Sequence, residues 1–584
     1  GDGGSGNETG NGLTNLAYNE TSAYNVMVGG TSLSTLTAAQ NDTTLNPSIV
    51  APALAGDRAT LWQLMAGGLT SLPTDAATLQ TFVEAVWNQY YVEGNHITIK
   101  NSPFEGGYLV NTTSSGGVDT SQPTPDYQLA YGLHPTTTGP SPETGRGAPD
   151  VAANAGGNLA YLTPNADMVG SGPDGGTSAA TPLWASLGVQ LNTIFHDQGL
   201  PNLGYMNDLL YIASAIAPAS FNDITIGSNT SSFTLGGSYH SNGTELTPTG
   251  FGYYAGPGYD LVTGLGTPNG VLLARSLTTI AHHQVSYADS PDMLEAATAT
   301  DGSWTSGAHQ SLLFQTMSAN GAVVGLDIGG DTSSFLSGAS GTYAWTARLA
   351  QQSLQADFDP ALVRTFDKAS QGAVWQTSVS AGESVAVSID ARDADAIQGS
   401  MSTPFGFADF LTDNGAVRVA RPVAVAETAN ASDDQTAIVR VRQNGEDKLS
   451  LSFYRVDDLS GTIDGLQPGQ AGYAAAAEAR AYQLAGGGNA LSGPGYRHYT
   501  ETQLTSVHSR DLIAMTLTNQ TAGATYWAFS QANESVGGQS VGHLWNYGLN
   551  TWGWEDLKGG GDHDFNDLLV QLDFTSSSGH GWLV

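Results

Sequence analysis

GGTSAATPLWASLGVQLNTI, residues Gly175 to Ile194, sets a glycine pair and a Thr-Ser step ahead of apolar residues at Leu183, Leu187, Leu191 and Ile194. That three-to-four spacing is one face of a helix, so the stretch predicts a helix beginning at or near Ser178. Gly175 and Gly176 let the backbone turn sharply in front of it, and Pro182 is expected near the first turn, where no intrahelical N–H is needed. Ser178 then carries its hydroxyl at a helix N-terminus, where unpaired N–H groups and the positive end of the dipole favour a developing anion. A nucleophile and an ordinary N-cap both fit this stretch, and the choice has to come from the rest of the chain.

The chain has 584 residues, enough for several domains with real cores. Only 12% of its residues are charged, 74 are glycine, and the net charge is −35. With 18 basic residues in all, clustered phosphate contacts are excluded and no nucleic-acid partner is expected. An acidic surface favours solubility and cations, and at a sequence pI near 4.3 it would lose most of its charge in mildly acidic medium. Cysteine is absent, which excludes disulfides, thiolate metal sites and a cysteine nucleophile. No run of about 18 apolar residues occurs, so no membrane span is expected. The first residues, GDGGSG, read as the interior of a larger product.

Taken in order, the polar, glycine-rich opening reads as a loop carrying Asp2. YNVMVGGTSL, Tyr24 to Leu33, predicts a short buried strand running into a turn. Thr35 to Leu79 is expected to be mostly helical, and LQTFVEAVWN, Leu79 to Asn88, to continue it. Ser114 to Gln128 is a loop, and RGAPDVAANA, Arg146 to Ala155, one short strand of small residues. Strands alternating with helices predict a parallel, helix-covered sheet. Further on, FNDITIG (Phe221 to Gly227) and GFGYYAGPGYDLVTGLGTPNG (Gly250 to Gly270) place Asp223 and Asp260 beside tight glycine turns. Such carboxylates fit either a turn or an oxygen cage for a hard cation. His282-His283 lies in an expected linker and is read as solvated.

From about Tyr287 the texture becomes short apolar runs separated by Gly, Ser and Thr, which predicts antiparallel β structure to about Glu427. A second β-rich unit follows, with TAIVRVRQ, KLSLSFYRVDD, DLIAMTLTNQ and ATYWAFSQAN as strands and AGGGNALSGPG as a loop. It ends in WGWEDLKGGGDHDFNDLLVQLDF, where Asp562, Asp564 and Asp567 follow three glycines and Glu555 and Asp556 precede them. Carboxylates this dense repel each other unless a cation sits among them, although the spacing is not that of a known calcium loop.

Four of these motifs, RGAPDVAANA, GGTSAATPLWASL, FNDITIG and GPGYDLVTGLGTPNG, occur in an order that resembles the sedolisins, serine-carboxyl peptidases with a subtilisin-like fold. YNVMVGGTSL, EAVWN and SSGGVDTSQPTPDYQ share that resemblance, which covers roughly Gly1 to Thr278. It implies that Ser178 is the acyl-forming nucleophile and that Asp2, in GDGG where such enzymes carry GDSG, donates to the oxyanion hole. It also implies a calcium ion held by the Asp223 and Asp260 carboxylates with the carbonyls of Ile224, Gly256 and Gly258. The family's general base, a Glu followed one helical turn later by an Asp, lies upstream of the oxyanion Asp. No Glu-x-x-x-Asp occurs in these 584 residues. The chain by itself is therefore expected not to turn over, with the base pair supplied by a preceding segment of the same product. Residues 430–574 are similar to an acidic C-terminal domain of undefined function found on secreted bacterial proteins, which implies export, a bacterial source and calcium use.

The expected architecture is multidomain. An α/β, subtilisin-like parallel sheet, N-terminally truncated, occupies residues 1–282; a β-rich region follows at 283–427, and an acidic β-rich domain with a calcium loop at 428–584. The expected function is a secreted, calcium-stabilised, acid-acting serine endopeptidase that cleaves proteins or peptides. Two alternatives stay open: a subtilisin-type peptidase, whose oxyanion donor would be Asn where Asp2 stands, and a cell-surface binding or adhesion protein with an inactive peptidase domain.

Overall fold

The computed structural model describes residues 1–4, 16, 21–33, 46–66, 69–75, 79, 83–98, 109–110, 112–138, 141–156, 160–256, 258–287 and 435–576, with shorter segments between 296 and 427. The expected loop at 5–15 and the expected boundary near 428 lie outside the described residues.

The N-terminal unit is organised on three strands: β1 (Val28–Leu33), β2 (Glu84–Val86) and β3 (Val151–Asn154). β1 lies between the other two, parallel to β3 and antiparallel to β2. The parallel pairing expected of the small-residue strands is present in β1 and β3. The helix expected to continue through Leu79–Asn88 is corrected: Glu84–Val86 is a strand, held by pairing to Thr31–Leu33. The Arg146–Ala155 stretch is two strands, because Pro149 interrupts it between Arg146–Ala148 and β3. Arg146 is fully buried and braces that break. It donates to the carbonyls of Ser22, Asn25 and Gly147 and pairs with Asp150 at 2.8 Å.

Helix α1 (Thr177–Asp197) packs on β1 and β3. Ala180, Trp184, Leu191 and Phe195 face the core, and the Trp184 indole N–H donates to the Ala152 carbonyl at 2.9 Å. Small residues at Ala152, Ala153 and Ala155 let the helix approach this closely. A second long helix, α2 (Gly270–Tyr287), packs against α1. It contains His282, whose Nε2 lies 2.7 Å from Gln198 Oε1, so the expected solvated linker at His282-His283 is corrected to helix.

Between 296 and 420 the described strands form two antiparallel sheets, as expected, while Ala426–Glu427 pairs with Leu512–Ile513 of the C-terminal unit. The C-terminal unit is two further sheets around one core. The larger is centred on β4 (Gln435–Gln443) and the smaller on β5 (Leu449–Val456) and β6 (Leu512–Asn519). The larger continues through β7 (Thr551–Trp554) and β8 (Leu568–Ser576). The stretch read as a loop near Gly486 holds a short strand, Ala490–Ser492, paired to β5. Along β4, Ala437, Val439 and Val441 enter the shared core while Arg440 and Arg442, on the opposite face, are also buried. Trp545, Leu549, Phe565 and Leu569 join the core beneath α2. Arg275 of α2 reaches across to the Leu549 carbonyl and to Asp573, both at 2.7 Å, and Asp573 is shared with Arg440. Among the described residues, no helix is long and apolar enough to cross a membrane.

Candidate active site

Gly176 caps α1 with φ +90°, a left-handed conformation suited to glycine, and no side chain caps the helix. Ser178 is therefore not an N-cap; it is the second helical residue, exposed on the first turn. Pro182 sits inside the helix rather than at its start. Lacking an N–H, it gives the carbonyl of Ser178 no ladder partner, so the turn that carries the hydroxyl is loosely tied.

The carboxylate of Asp2 arrives at this turn from the other end of the segment. Asp2 Oδ1 accepts the Thr177 backbone N–H at 2.9 Å and the Thr177 hydroxyl at 2.6 Å. A Cβ on Gly176 would lie 2.8 Å from Asp2 Oδ2, so glycine is what allows the approach. Residues 1–4 are pinned by the loop that follows Thr112: Thr113 N–H donates to Asp2 O, Gly4 N–H to Thr113 O and Ser115 N–H to Gly1 O, each at 2.9 Å. The same loop is tied to the sheet, because Ser114 Oγ accepts Gly30 N–H at 2.8 Å and Ser114 N–H donates to Trp87 O. Asp2 and Ser178, 176 positions apart in sequence, thus share one helix N-terminus.

Glu84, the acid of EAVWN, opens β2. Its carboxyl accepts the hydroxyls of Thr31 at 2.6 Å and Thr267 at 3.2 Å. Burial pushes it above the ordinary carboxylate range, and those two donors only partly oppose the shift. The signal available in sequence was a lone acid among Val83, Ala85 and Val86, a pattern that marks a buried carboxyl once the segment is known to be a strand.

Asp223 and Asp260 grip one loop from both sides. Asp223 Oδ2 accepts Gly258 N–H at 2.8 Å; Asp260 accepts Val262 N–H and Thr263 N–H at 2.8 Å and Gly256 N–H at 3.1 Å. Burial pushes Asp260 up to about 6 despite those donors. Ile224 is buried, and open space surrounds the Cβ positions of Gly256 and Gly258. Two carboxylates on one glycine turn, one of them destabilised as an anion by burial, are of the donor type a hard cation takes.

In the C-terminal unit, Asp562 and Asp564 converge with Glu555, their ligand oxygens all within 4.8 Å of one another. Asp567 is engaged differently: its Oδ2 accepts Asp556 N–H at 3.0 Å. Burial first, and neighbouring carboxylates second, raise both Glu555 and Asp567 well above the ordinary range.

Kumamolisin from Bacillus sp. (strain MN-32) is 34% identical over 183 residues, which is 31% of this chain and 27% of that protein. Physarolisin from Physarum polycephalum is 38% identical over 123 residues, 21% of this chain and 18% of its own length. The chain carries a sedolisin-like segment. A solved structure, Pseudomonas sedolisin (serine-carboxyl proteinase) complexed with two molecules of pseudo-iodotyrostatin, matches 35% of this chain and 45% of its own at 19% identity and a TM-score of 0.22. The matched sedolisin-like region thus spans only about a quarter of kumamolisin and a fifth of physarolisin. Residues 507–575 match the family described as "Domain of unknown function (DUF4114)", so the chain joins a sedolisin-like segment to a DUF4114 domain.

Proposed function

We propose that the chain is the Ser- and oxyanion-bearing part of a secreted, calcium-stabilised serine endopeptidase of the sedolisin type, acting on proteins or peptides at acidic pH. The observation that carries this reading is the Asp2 carboxylate on Thr177, one residue from an exposed Ser178 that caps nothing. In the proposed reaction Ser178 Oγ attacks a peptide carbonyl, its proton passes to a general base, and the carbonyl oxygen becomes an oxyanion. The C–N bond then breaks, the amine leaves with that proton, and water hydrolyses the acyl-enzyme. Asp2 can donate to the oxyanion only while it carries a proton, which couples turnover to acid conditions. The base would be a Glu with its Asp partner, supplied by a segment of the same product outside residues 1–584. A calcium ion held by Asp223, Asp260 and the carbonyls of Ile224, Gly256 and Gly258 would fix the loop that packs under β1. There Val262 O lies 2.9 Å from where a Gly29 Cβ would stand.

The test is peptide cleavage by the complete product from pH 3 to 8, together with labelling by a serine-directed fluorophosphonate. The expected result is an acidic maximum and a label at Ser178 that is lost in Ser178→Ala. A neutral or alkaline maximum would reject the proposed role of Asp2. A complete product that cleaves nothing and never labels would leave a binding protein built on an inactive peptidase domain.

A further inference from the structure

Glu555 follows directly on β7, and the loop from 555 to 567 leads into β8. Its side chain is fully buried. One carboxylate oxygen, Oε1, accepts the Phe565 N–H at 2.7 Å; the other, Oε2, is buried with no hydrogen-bond partner among the described residues. An anionic oxygen withdrawn from water without a partner is costly, and its charged neighbours here are themselves acids: Asp567, Asp564 and Asp562. Asp567 is already committed to the Asp556 N–H. The space beside Oε2 is kept open by Gly561, whose Cβ would lie 2.2 Å from that oxygen and whose φ is +56°. Asp562 is half-buried, which leaves the group an approach from solvent.

We propose that Glu555, Asp562 and Asp564 form a divalent-cation site in the DUF4114 domain, selective for calcium over magnesium. One oxygen from each of the three lies within 4.8 Å of the others; a point among them then lies at most about 2.8 Å from each, so closing by a few tenths of an ångström brings all three to the calcium–oxygen distance of about 2.4 Å. Magnesium, with bonds of about 2.1 Å and a stricter octahedron, would require the three acids to draw together. The bound ion gives Glu555 Oε2 the partner it lacks and ties together both ends of a loop that crosses between β7 and β8. Of the acids the sequence set together, Asp562 and Asp564 belong to this site, and the buried Glu555 stands in it where Asp567 was expected. It is independent of the peptidase reading, because none of its residues belongs to the sedolisin-like segment.

Calcium titration calorimetry on the full chain, stripped with a chelator, tests it beside Glu555→Gln and Asp562→Asn. The wild type is expected to bind one more calcium ion than either variant, whatever the Asp223/Asp260 loop binds. Its Tm is expected to rise by about 5 °C at calcium a hundredfold above Kd, a rise reduced in both variants. In chelator, Glu555→Gln is expected to melt at or above the wild type, since an uncompensated charge has been removed; a merely structural acid would instead leave it less stable. Asp562→Asn, at a half-buried position, carries the comparison should Glu555→Gln fail to fold. Equal calcium stoichiometry in wild type and Asp562→Asn, or no calcium binding by the wild-type chain, would overturn the proposal.

Discussion

Asp2 meets the Thr177 amide and hydroxyl with one oxygen, and its other oxygen lies over Gly176. Anionic, it is an acceptor at a helix N-terminus, a favourable place for negative charge; protonated, it gains a donor there. Asparagine has the same shape, accepts through Oδ1 and donates through its amide at every pH. Asp2→Asn in the complete product is therefore expected to keep activity and extend it toward neutral pH, whereas Asp2→Ala loses on the order of a hundredfold to a thousandfold in kcat. Rate against pH for the two variants checks both. Ser178 was legible in sequence only as one of two things, since a serine after two glycines is as readily a cap. The fold removes the cap reading because Gly176 takes that place. Asp2 was legible through its motif alone, as nothing in GDGGSG announces that it returns to a helix 175 positions away.

Among elements, α1 was the most readable as a helix because its apolar spacing is local. The helix is where the spacing puts it, but its packing face is rotated: of Leu183, Leu187, Leu191 and Ile194, Leu191 is buried and Leu183 is exposed, while Ala180, Trp184 and Phe195 carry the core contact. β2 was misread for the converse reason. LQTFVEAVWN carries residues that suit a helix, and what makes Glu84–Val86 a strand is the edge of β1 beside it, a partner more than fifty residues away. The same tertiary override half-buries Glu84 and withdraws its carboxyl from water, with a measurable consequence. Its carboxyl titrates above the ordinary 4.5, so the protonated form is favoured in the folded state. The stability this contributes is complete below about 4.5 and is lost as pH rises through the raised value. Glu84→Gln, neutral throughout, is expected to raise the Tm of the N-terminal unit at pH 7 and to leave it nearly unchanged at pH 4. Thermal unfolding at the two pH values checks this, and equal effects at both would contradict it. The acidic turn was legible as a dense run of carboxylates; which of them converge was not, because Glu555 reaches the group only through the return of the chain from β7 to β8.

At the scale of the molecule, the arginines of β4 were unreadable as core residues. TAIVRVRQ alternates as a strand with one wet face should, yet the face bearing Arg440 and Arg442 is covered. Part of that cover is α2, whose Arg275 shares Asp573 with Arg440. Arg275→Ala would leave Asp573 with Arg440 as its remaining partner in a half-buried position and costs roughly 1.5–3 kcal/mol. Calorimetry is expected to show the unfolding of the N-terminal and C-terminal units separating where the wild type melts as one. There is a practical corollary to that shared wall. A shortened gene ending after α2 would strip Trp545, Leu549, Phe565 and Leu569 from the helix they cover and strand a guanidinium on greasy ground. Such a product is expected to precipitate, so biochemists wanting the Ser178 half should leave its acidic companion attached.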